Sequence, residues 1–512
     1  MISRRLFIAG TGALAASPAF GRGDPRVTTS HGPVRGTREG GLAVFRGLRY
    51  GTAERFRVPK PPPRSRETLA ATGFGPSAPQ RAGRYRPMSE DCLFLNIWTP
   101  EARPGGKRPV MVYFHGGAYS TGSVADPLND GRHLAIFGDC VVVTVNHRLN
   151  AFGYLYLSRL DPRFPDSGNA GQLDLLLALQ WIRANIDNFG GDPSRVLVFG
   201  QSGGGAKIAT LMGMPAAKGL FHRAITMSGQ QVTASGPLNA TARAKAYLAA
   251  LKVSSADDLL ALPAERLVDG LAATDPILGG GVYMGPVLDM RWLTRHPFWP
   301  DSNPQSNAIP MILGNTLDET RAFIDPDSQK VRTLDWDNIA ERLAPELRVD
   351  IHPEWVVAQY RQQYPDWSPE RVFYSASTAG RSWPGQVIEA DARARAATRT
   401  WVYQLDFQSP TQPRRGAPHT MDIALAFGTL DAEGSYTGTG PAARALSAAM
   451  TSAFAAFARN GNPNAAGLSP WPVYALPARS TMVFDVESRS VDDPRKWERD
   501  LFARAPYIQP GS

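Results

Sequence analysis

The stretch Val196-Leu-Val-Phe-Gly-Gln-Ser-Gly-Gly-Gly205 decides the fold: an apolar run stops at a glycine, presents one serine and continues in glycines. A buried strand followed by Gly-x-Ser-x-Gly predicts a nucleophile elbow, a strained strand-to-helix turn that exposes the hydroxyl of Ser202. We expect glycine at Gly200 and Gly204 because a Cβ there would collide with neighbouring backbone. A flexible glycine turn is the competing interpretation. A phosphate-binding loop is excluded because Ala206 stands where such a loop needs lysine.

Short apolar strands lie on both sides of this stretch and alternate with helical patterns. The predicted strands are Leu93 to Trp98, Val110 to Phe114, Val141 to Val145, Val196 to Phe199, Ala224 to Met227, Ile309 to Leu313, Trp401 to Phe407 and Met482 to Asp485. Helical patterns cover Gly171 to Ile186 and Gly203 to Met212. This alternation predicts an α/β fold with a large, mostly parallel central sheet and helices on both faces.

Two further features elaborate that sheet. Val27 to Arg35 and Leu42 to Tyr50 predict a hairpin or small N-terminal antiparallel sheet, joined through Gly40 and Gly41. The mixed helical stretches Ala240 to Ala273 and Asp335 to Ala397 predict cap-like insertions above the carboxyl edge of the sheet, where open α/β sheets place their sites. With no internal repeat or convincing linker, we expect residues 23–512 to form a single domain.

The first 22 residues predict an export signal. Arg4 and Arg5 precede a short apolar run to Ala16, and Ser17-Pro-Ala19 offers a small-x-small cleavage site. Paired arginines before a modest apolar core resemble a bacterial twin-arginine signal, with an ordinary Sec signal as the alternative. Either signal predicts a periplasmic or secreted protein.

Charge and cysteine content narrow the function classes. The net charge of +9 is scattered and accompanies no nucleic-acid-binding motif, so we expect no nucleic-acid partner. No later stretch is apolar for long enough to span a bilayer. Cys92 and Cys140 both adjoin apolar segments and predict two buried free thiols, with one bridge as the alternative in an oxidising compartment.

A serine nucleophile needs a base, and the base needs an acid that orients it. The order expected after such an elbow is serine, acid, histidine, which leaves His352 and His419. His352 precedes a helical pattern, whereas His419 lies on a loop beyond a predicted strand, so His419 is the predicted base. The acid is expected on the loop after Ile309 to Leu313, where Asp318 and Glu319 both qualify and position does not separate them.

The strand Val110 to Phe114 runs into a His-Gly-Gly loop, the kind that supplies backbone N–H groups opposite the serine. Together with the N–H of Gly203 it would make an oxyanion hole of two or three donors. His115 precedes Ser202, the wrong order for the base, and is expected to brace the glycine loop.

Several further motifs occur in order along nearly the whole chain past residue 22. They are Ser89-Glu-Asp-Cys-Leu-Phe-Leu-Asn96, His115-Gly-Gly-Ala118, Asn146-His-Arg-Leu-Asn-Ala-Phe-Gly153, Gly168-Asn-Ala-Gly-Gln-Leu-Asp174, Asn188-Phe-Gly-Gly-Asp-Pro193, Phe457-Ala-Arg-Asn-Gly-Asn-Pro-Asn464 and Trp471-Pro472. With the elbow, these motifs resemble the type-B carboxylesterases, the cholinesterase and para-nitrobenzyl-esterase branch of the α/β-hydrolases. The resemblance implies the α/β-hydrolase fold and ester hydrolysis.

The resemblance also implies residue roles. The acid of this family is the glutamate of a Gly-x-x-x-Asp-Glu loop, which falls on Glu319. Its oxyanion donors fall on Gly117, Ala118 and Gly203. Ser228, in the strand after the elbow, would support the acid, with a plain turn serine as the alternative.

Departures from the family pattern bear on the substrate. Gln201 and Gly203 stand where Glu and Ala are commoner, and the loop before Cys92 lacks both the partner cysteine and the tryptophan that stacks on choline in cholinesterases. A quaternary-ammonium ester is therefore not expected. The region that shapes the acyl pocket contains Gly279, Gly280, Gly281, Val282 and Tyr283. Its glycines predict either an open pocket for larger acyl groups or only a turn.

We therefore expect an exported serine carboxylesterase that acts on small-molecule esters through an acyl-enzyme. A lipase acting on long-chain acylglycerols is the alternative hydrolase. A non-catalytic binding module, as in the adhesion relatives of cholinesterases, is the alternative of another class, but such relatives typically lose a triad member. No metal or organic cofactor is implied, because His and Cys are too scattered for ligand spacing. The oligomeric state is left open.

Overall fold

The computed structural model describes residues 23–381 and 383–511, so the predicted signal segment lies outside the described residues. The strands are β1 Arg26–Thr29, β2 Gly32–Arg35, β3 Thr37–Glu39, β4 Leu42–Arg49, β5 Leu69–Ala70, β6 Phe94–Thr99, β7 Arg108–Phe114, β8 Val141–Val145, β9 Gly191–Gln201, β10 Arg223–Met227, β11 Met311–Thr316, β12 Thr400–Leu405, β13 Ser480–Phe484 and β14 Arg489–Asp492.

The helices complete the chain order. They are α1 Arg132–Phe137, α2 Asn150–Tyr154, α3 Ala170–Asn185, α4 Gly203–Gly213, α5 Pro237–Leu251, α6 Ala256–Ala261, α7 Ala264–Asp269, α8 Gln329–Arg332, α9 Ile339–Leu343, α10 Pro353–Gln363, α11 Pro369–Arg381, α12 Trp383–Arg395, α13 Met421–Phe427, α14 Pro441–Asn460 and α15 Lys496–Phe502.

A large mixed sheet forms the centre of the molecule. Within the described residues, 11 strands pair in the order β14-β13-β12-β11-β10-β9-β7-β8-β6-β4-β3. The run from β13 to β8 is parallel, and the strands at both edges are antiparallel. Because β9 to β12 are parallel neighbours, their carboxyl ends meet at one edge. The predicted mostly parallel sheet is confirmed.

Each face of the sheet is covered by its own helices. Along β7, Val110 and Val112 pack into one core with side chains of α3 and α4, whereas Met111 and Tyr113 pack into the opposite core with α13 and α14. This alternation follows from the two-residue period of a strand. The near-continuous apolar run of β7 and β8 is what burial on both faces requires.

The N-terminal strands divide between two sheets, which the sequence did not predict. β1 and β2 form an antiparallel hairpin, and β5 pairs parallel to β2, giving a three-stranded small sheet. The hairpin through Gly40 and Gly41 instead joins β3 to β4, and β4 pairs with β6 at the edge of the central sheet.

The predicted insertions connect strands whose carboxyl ends meet at the same edge of the sheet. α5 to α7 lie between β10 and β11, and α8 to α12 lie between β11 and β12. The two insertions contribute to separate apolar clusters, the first around Tyr247 and Leu259 and the second around Tyr360 and Phe373. No helix among the described residues is both long and apolar enough to cross a bilayer.

Two of the motifs that carry the family resemblance have structural roles. Arg148 and Asp174 form an ion pair of 2.6 Å, and both side chains are buried. Arg148 also donates to the carbonyl of Arg57 at 2.7 Å, which ties the N-terminal segment to α3. Cys92 and Cys140 are both buried free thiols, as predicted.

Candidate functional site

Ser202 occupies the predicted sharp turn between β9 and α4. Its backbone is strained, with φ 54° and ψ −126°. A Cβ at Gly200 would lie 2.6 Å from the carbonyl carbon of Gly204, and one at Gly204 would lie 1.9 Å from the carbonyl oxygen of Phe114. Both contacts are shorter than side chains tolerate, so glycine is required at both positions, as the sequence predicted.

His419 and Glu319 meet at the same edge of the sheet. His419 lies on the loop after β12, and its Nδ1 forms a short hydrogen bond with Oε2 of Glu319. His419 is 5% exposed and Glu319 is fully buried. A carboxylate on Nδ1 requires the proton there, which leaves Nε2 free to accept a proton.

The Glu319 carboxylate is surrounded by donors. Oε1 accepts hydrogen bonds from Ser228 Oγ at 2.5 Å, from Asn315 Nδ2 at 3.0 Å and from the Thr316 N–H at 2.8 Å. Burial alone would raise the pKa of Glu319, but His419 and these donors together hold the pKa below its ordinary value. Glu319 is therefore an anion that orients His419, and Ser228 contacts it directly.

Asp318, the other candidate for the acid in the sequence, has different partners. Its carboxylate accepts the Ala417 N–H at 3.0 Å and pairs with Arg321 at 3.2 Å. Its own N–H donates to the Ala417 carbonyl at 3.0 Å. Asp318 thus joins the loop that carries Glu319 to the loop that carries His419.

The oxyanion loop, residues His115 to Tyr119, lies against the start of α4. Gly117 and Ala118 both have left-handed backbone, with φ 83° and 53°. The carbonyl of Ala118 lies so near Gly203 that a Cβ there would stand 2.0 Å from its oxygen. The structure therefore brings Gly117, Ala118 and Gly203 together beside Ser202, and their role as oxyanion donors stays a prediction.

His115 supports this loop from below. It is buried, its Nδ1 donates to the Gly116 carbonyl at 2.9 Å, and its ring stacks on that of His147 with centroids 4.6 Å apart. Burial, aided by the charge of Lys207, lowers the pKa of His115 to about 3. A histidine that stays neutral at physiological pH suits the predicted bracing role.

Gln201 makes a contact that the sequence did not predict. Its side-chain amide donates from Nε2 to Nε2 of His419 at 3.0 Å. The sequence predicts that Gln201 supports the catalytic residues and that the site has one acidic group fewer, but it gives no partner for the Gln201 side chain. The signal that could have found the contact is its position, directly before Ser202 at the end of β9.

A cavity of about 290 Å³ adjoins the site. Its inner wall includes Gly116, Gly117 and Gln201, and its outer wall carries Arg84 and Tyr85. Arg84 and Tyr85 both hydrogen-bond Asp126, which is also part of the wall. The outer wall is therefore polar: Arg84, Tyr85 and Asp126 pair with one another, and Glu433 also lines it.

Phe323, 49% exposed, contacts the His419 ring with centroids 4.8 Å apart.

The proposed acyl-pocket segment divides into two parts. Gly279, Gly280 and Gly281 lie exposed, and a Cβ at any of them would meet nothing within 4 Å. Their turn is built around Asp275, whose carboxylate accepts the N–H groups of Ile277, Leu278 and Tyr283. This geometry is that of the alternative interpretation, a turn. Val282 is buried, and the ring of Tyr283 contacts that of Tyr119, with centroids 6.2 Å apart.

Comparisons with known proteins identify the family of this chain. The sequence model of the carboxylesterase family matches residues 23–502. The para-nitrobenzyl esterase of Bacillus subtilis is 34% identical over 498 residues, 92% of this chain and 97% of that protein. The fumonisin B1 esterase of Sphingopyxis macrogoltabida is 31% identical over 501 residues, 90% of this chain and 87% of that protein.

Solved structures give the same result. The carboxylesterase EST55 of Geobacillus stearothermophilus superposes with a TM-score of 0.84 at 34% identity, covering 93% of this chain and 99% of that one. A para-nitrobenzyl esterase structure superposes with a TM-score of 0.79 at 32% identity, covering 94% and 100%. The chain belongs to the carboxylesterase family and is a carboxylic ester hydrolase with the α/β-hydrolase fold.

Proposed function

We propose that this enzyme hydrolyses carboxylic esters of small molecules through an acyl-enzyme on Ser202, with His419 as base and Glu319 as the acid that orients it. The Ser202 oxygen attacks the ester carbonyl carbon while His419 Nε2 takes the hydroxyl proton. The resulting imidazolium returns that proton to the leaving alcohol. Water then repeats the sequence on the acyl-enzyme and releases the carboxylic acid.

The observation that carries this proposal is the pairing of buried Glu319 with His419 beside an elbow serine. The Gln201 amide holds Nε2 of His419 in this structure. Proton transfer from Ser202 therefore requires the amide to yield that position to the serine hydroxyl. Catalytic hydrogen bonds commonly tighten only when substrate is bound.

The N–H groups of Gly117, Ala118 and Gly203 are proposed to bind the oxyanion. Their support is the close approach of Ala118 to Gly203 and the left-handed backbone at Gly117 and Ala118. Donors fixed before the reaction act where negative charge develops, and each is worth ~3 to 4 kcal/mol of transition-state stabilisation.

The test is the variant Ser202→Ala, assayed on soluble para-nitrophenyl and para-nitrobenzyl esters. We expect kcat to fall by at least about 10³-fold and labelling by an organophosphonate to disappear. Ser254→Ala, the same change at an exposed serine of the first insertion, serves as the control for the substitution itself. Undiminished hydrolysis by Ser202→Ala would sink the proposal.

The preferred substrate is proposed to be a soluble uncharged ester. Arg84, Tyr85 and Asp126 of the cavity wall already pair with one another, and Gln201 is neutral where an anion would favour a cationic alcohol. Higher activity on emulsified long-chain triglyceride than on soluble esters would favour the lipase alternative. Absence of phosphonate labelling of the wild type would favour the binding module.

Export is proposed separately, on the arginine pair and apolar run of residues 1–22. Support comes from the family match, which begins at residue 23. The test is fractionation of cells that express the full chain, with Arg4→Lys and Arg5→Lys introduced together. Retention of the double variant in the cytoplasm supports twin-arginine export, whereas unchanged export points to a Sec signal.

A further inference from the structure

Lys207 is a fully buried lysine on the helix that follows the nucleophile. It lies within α4, one turn beyond the glycines of the elbow, and its side chain is 0% exposed. A buried ammonium group loses its hydration, which is costly unless polar partners replace the water. The partners of Lys207 therefore indicate why the helix carries a lysine here.

The partners are carbonyl groups of the oxyanion loop. Lys207 Nζ donates to the carbonyl of Ala118 at 2.8 Å and to that of His115 at 3.3 Å. Nζ also lies 5.2 Å from the ring centroid of Tyr119, a cation–π distance. One ammonium group thus contacts the first, fourth and fifth residues of the five-residue loop.

The loop needs such support because its backbone is strained. Ala118 has a φ of 53°, a left-handed conformation that alanine seldom adopts. Its carbonyl is pressed against Gly203, where only a missing Cβ gives it room. The same helix therefore fixes this carbonyl at two points, by the space at Gly203 and by the hydrogen bond from Lys207.

The charge of Lys207 is not neutralised by an acid. Among the described residues, no carboxylate hydrogen-bonds or forms an ion pair with it. The titratable groups that face it are His115 and His147 on the sheet side and Tyr119 on the loop, and the charge of Lys207 lowers the pKa of both histidines. On α3, Asp174 is paired with Arg148 instead. Burial lowers the pKa of Lys207 to about 7.

We propose that Lys207 is a positioning residue, whose ammonium group holds the Ala118 carbonyl so that the oxyanion loop keeps its catalytic conformation, and that ester hydrolysis weakens when Lys207 loses its proton. This inference rests on the proposed function. A neutral amine still donates hydrogen bonds, but weaker ones than an ammonium group. Deprotonation is therefore expected to loosen the loop without releasing it.

The first test compares Lys207→Met with Lys218→Met. Lys218 is an exposed lysine just beyond the same helix, so its variant loses the same charge without touching the loop. We expect Lys207→Met to lower kcat by about 10- to 100-fold with KM within about 2-fold, because a misplaced oxyanion donor acts on the transition state. Lys218→Met should match the wild type. A purely structural role would lower the thermal midpoint and leave kcat of the folded enzyme unchanged.

The second test is the pH profile of kcat for the wild type and Lys207→Arg. The wild type should lose about 5-fold in kcat on the alkaline side of pH 7, since a charged donor binds its acceptor more strongly than a neutral one. Arginine stays protonated in proteins, so Lys207→Arg should lack this alkaline decline whatever its absolute rate. The shape of the profile, measured even if Lys207→Met does not fold, is the readout.

The outcomes separate the two proposals. A wild type that resists organophosphonate labelling contradicts the proposed function. A wild type that is labelled, beside a folded Lys207→Met with wild-type kcat, overturns only the role of Lys207. Persistence of the alkaline decline in Lys207→Arg overturns the dependence on its proton.

Discussion

Replacing Glu319 by Gln tests how much of the catalysis depends on one buried carboxylate. Glu319 accepts four hydrogen bonds, from His419, Ser228, Asn315 and the Thr316 N–H. A glutamine amide has only one oxygen to accept from these four donors. Its NH₂ group can donate hydrogen bonds but cannot accept them. Whichever way the amide turns, an N–H faces another N–H or O–H.

The relief open to the site is for His419 to move its proton from Nδ1 to Nε2. The imidazole then presents no lone pair to Ser202, so we expect kcat to fall by about 10³- to 10⁴-fold, or ~4 to 5.5 kcal/mol, with KM little changed. The assay is steady-state hydrolysis of a para-nitrophenyl ester, with the thermal midpoint as the check on folding.

Asp318→Asn is the matched control because the sequence could not separate the two neighbouring acids. It removes one charge next to Glu319, yet Asp318 pairs with Arg321 and Ala417 rather than with His419. We expect kcat to fall by less than about 10-fold, since only the hydrogen bonds between the two loops weaken. An active Glu319→Gln, or equal losses in both variants, would refute this reasoning.

Three further results are expected. Ser228→Ala removes a charge-assisted hydrogen bond of 2.5 Å to Glu319, so kcat should fall by about 10-fold at constant KM in the same ester assay. Gln201→Glu places a carboxylate beside His419, which favours the imidazolium, and the acid limb of the kcat profile should move up by about 1 pH unit. Burial raises the pKa of Glu389 from 4.5 to about 8, so the native state keeps a proton that the unfolded chain has released. The free energy of unfolding should therefore fall by up to ~1.4 kcal/mol per pH unit between those two values, and urea unfolding of Glu389→Gln should lack this component.

Much of the candidate site could be predicted from the sequence because its motifs are local. A buried strand that ends in Gly-x-Ser-x-Gly specifies its own turn. The order of serine, acid and histidine leaves His352 and His419, and the position of His419 on a loop beyond a strand selects it. The sequence resemblance separated Glu319 from Asp318, which differ in position by one residue and not in chemistry.

The features that sequence patterns could not predict depend on contacts between residues far apart in the chain. The sequence shows β3 and β4 only as short segments on either side of a glycine turn, and only the pairing of β4 with β6 assigns them to the central sheet. In the sequence, Lys207 is a single charged residue on an apolar helix, and a lysine in that position usually faces solvent. Its burial depends on where residues 115–119 lie, some ninety positions earlier in the chain.

Four adjacent parallel strands each deliver one residue to the site: Ser202 follows β9, Ser228 follows β10, Glu319 follows β11, and His419 lies beyond β12. Ester hydrolysis therefore requires that these four strands are paired in the central sheet. In a refolding experiment, hydrolysis can return only after these four strands have found their neighbours, whereas helical signal needs no such long-range pairing. For the same reason, a chain divided between β10 and β11 would leave Ser202 in one fragment and His419 in the other, so the rate of ester hydrolysis would measure how far the two fragments had reassociated.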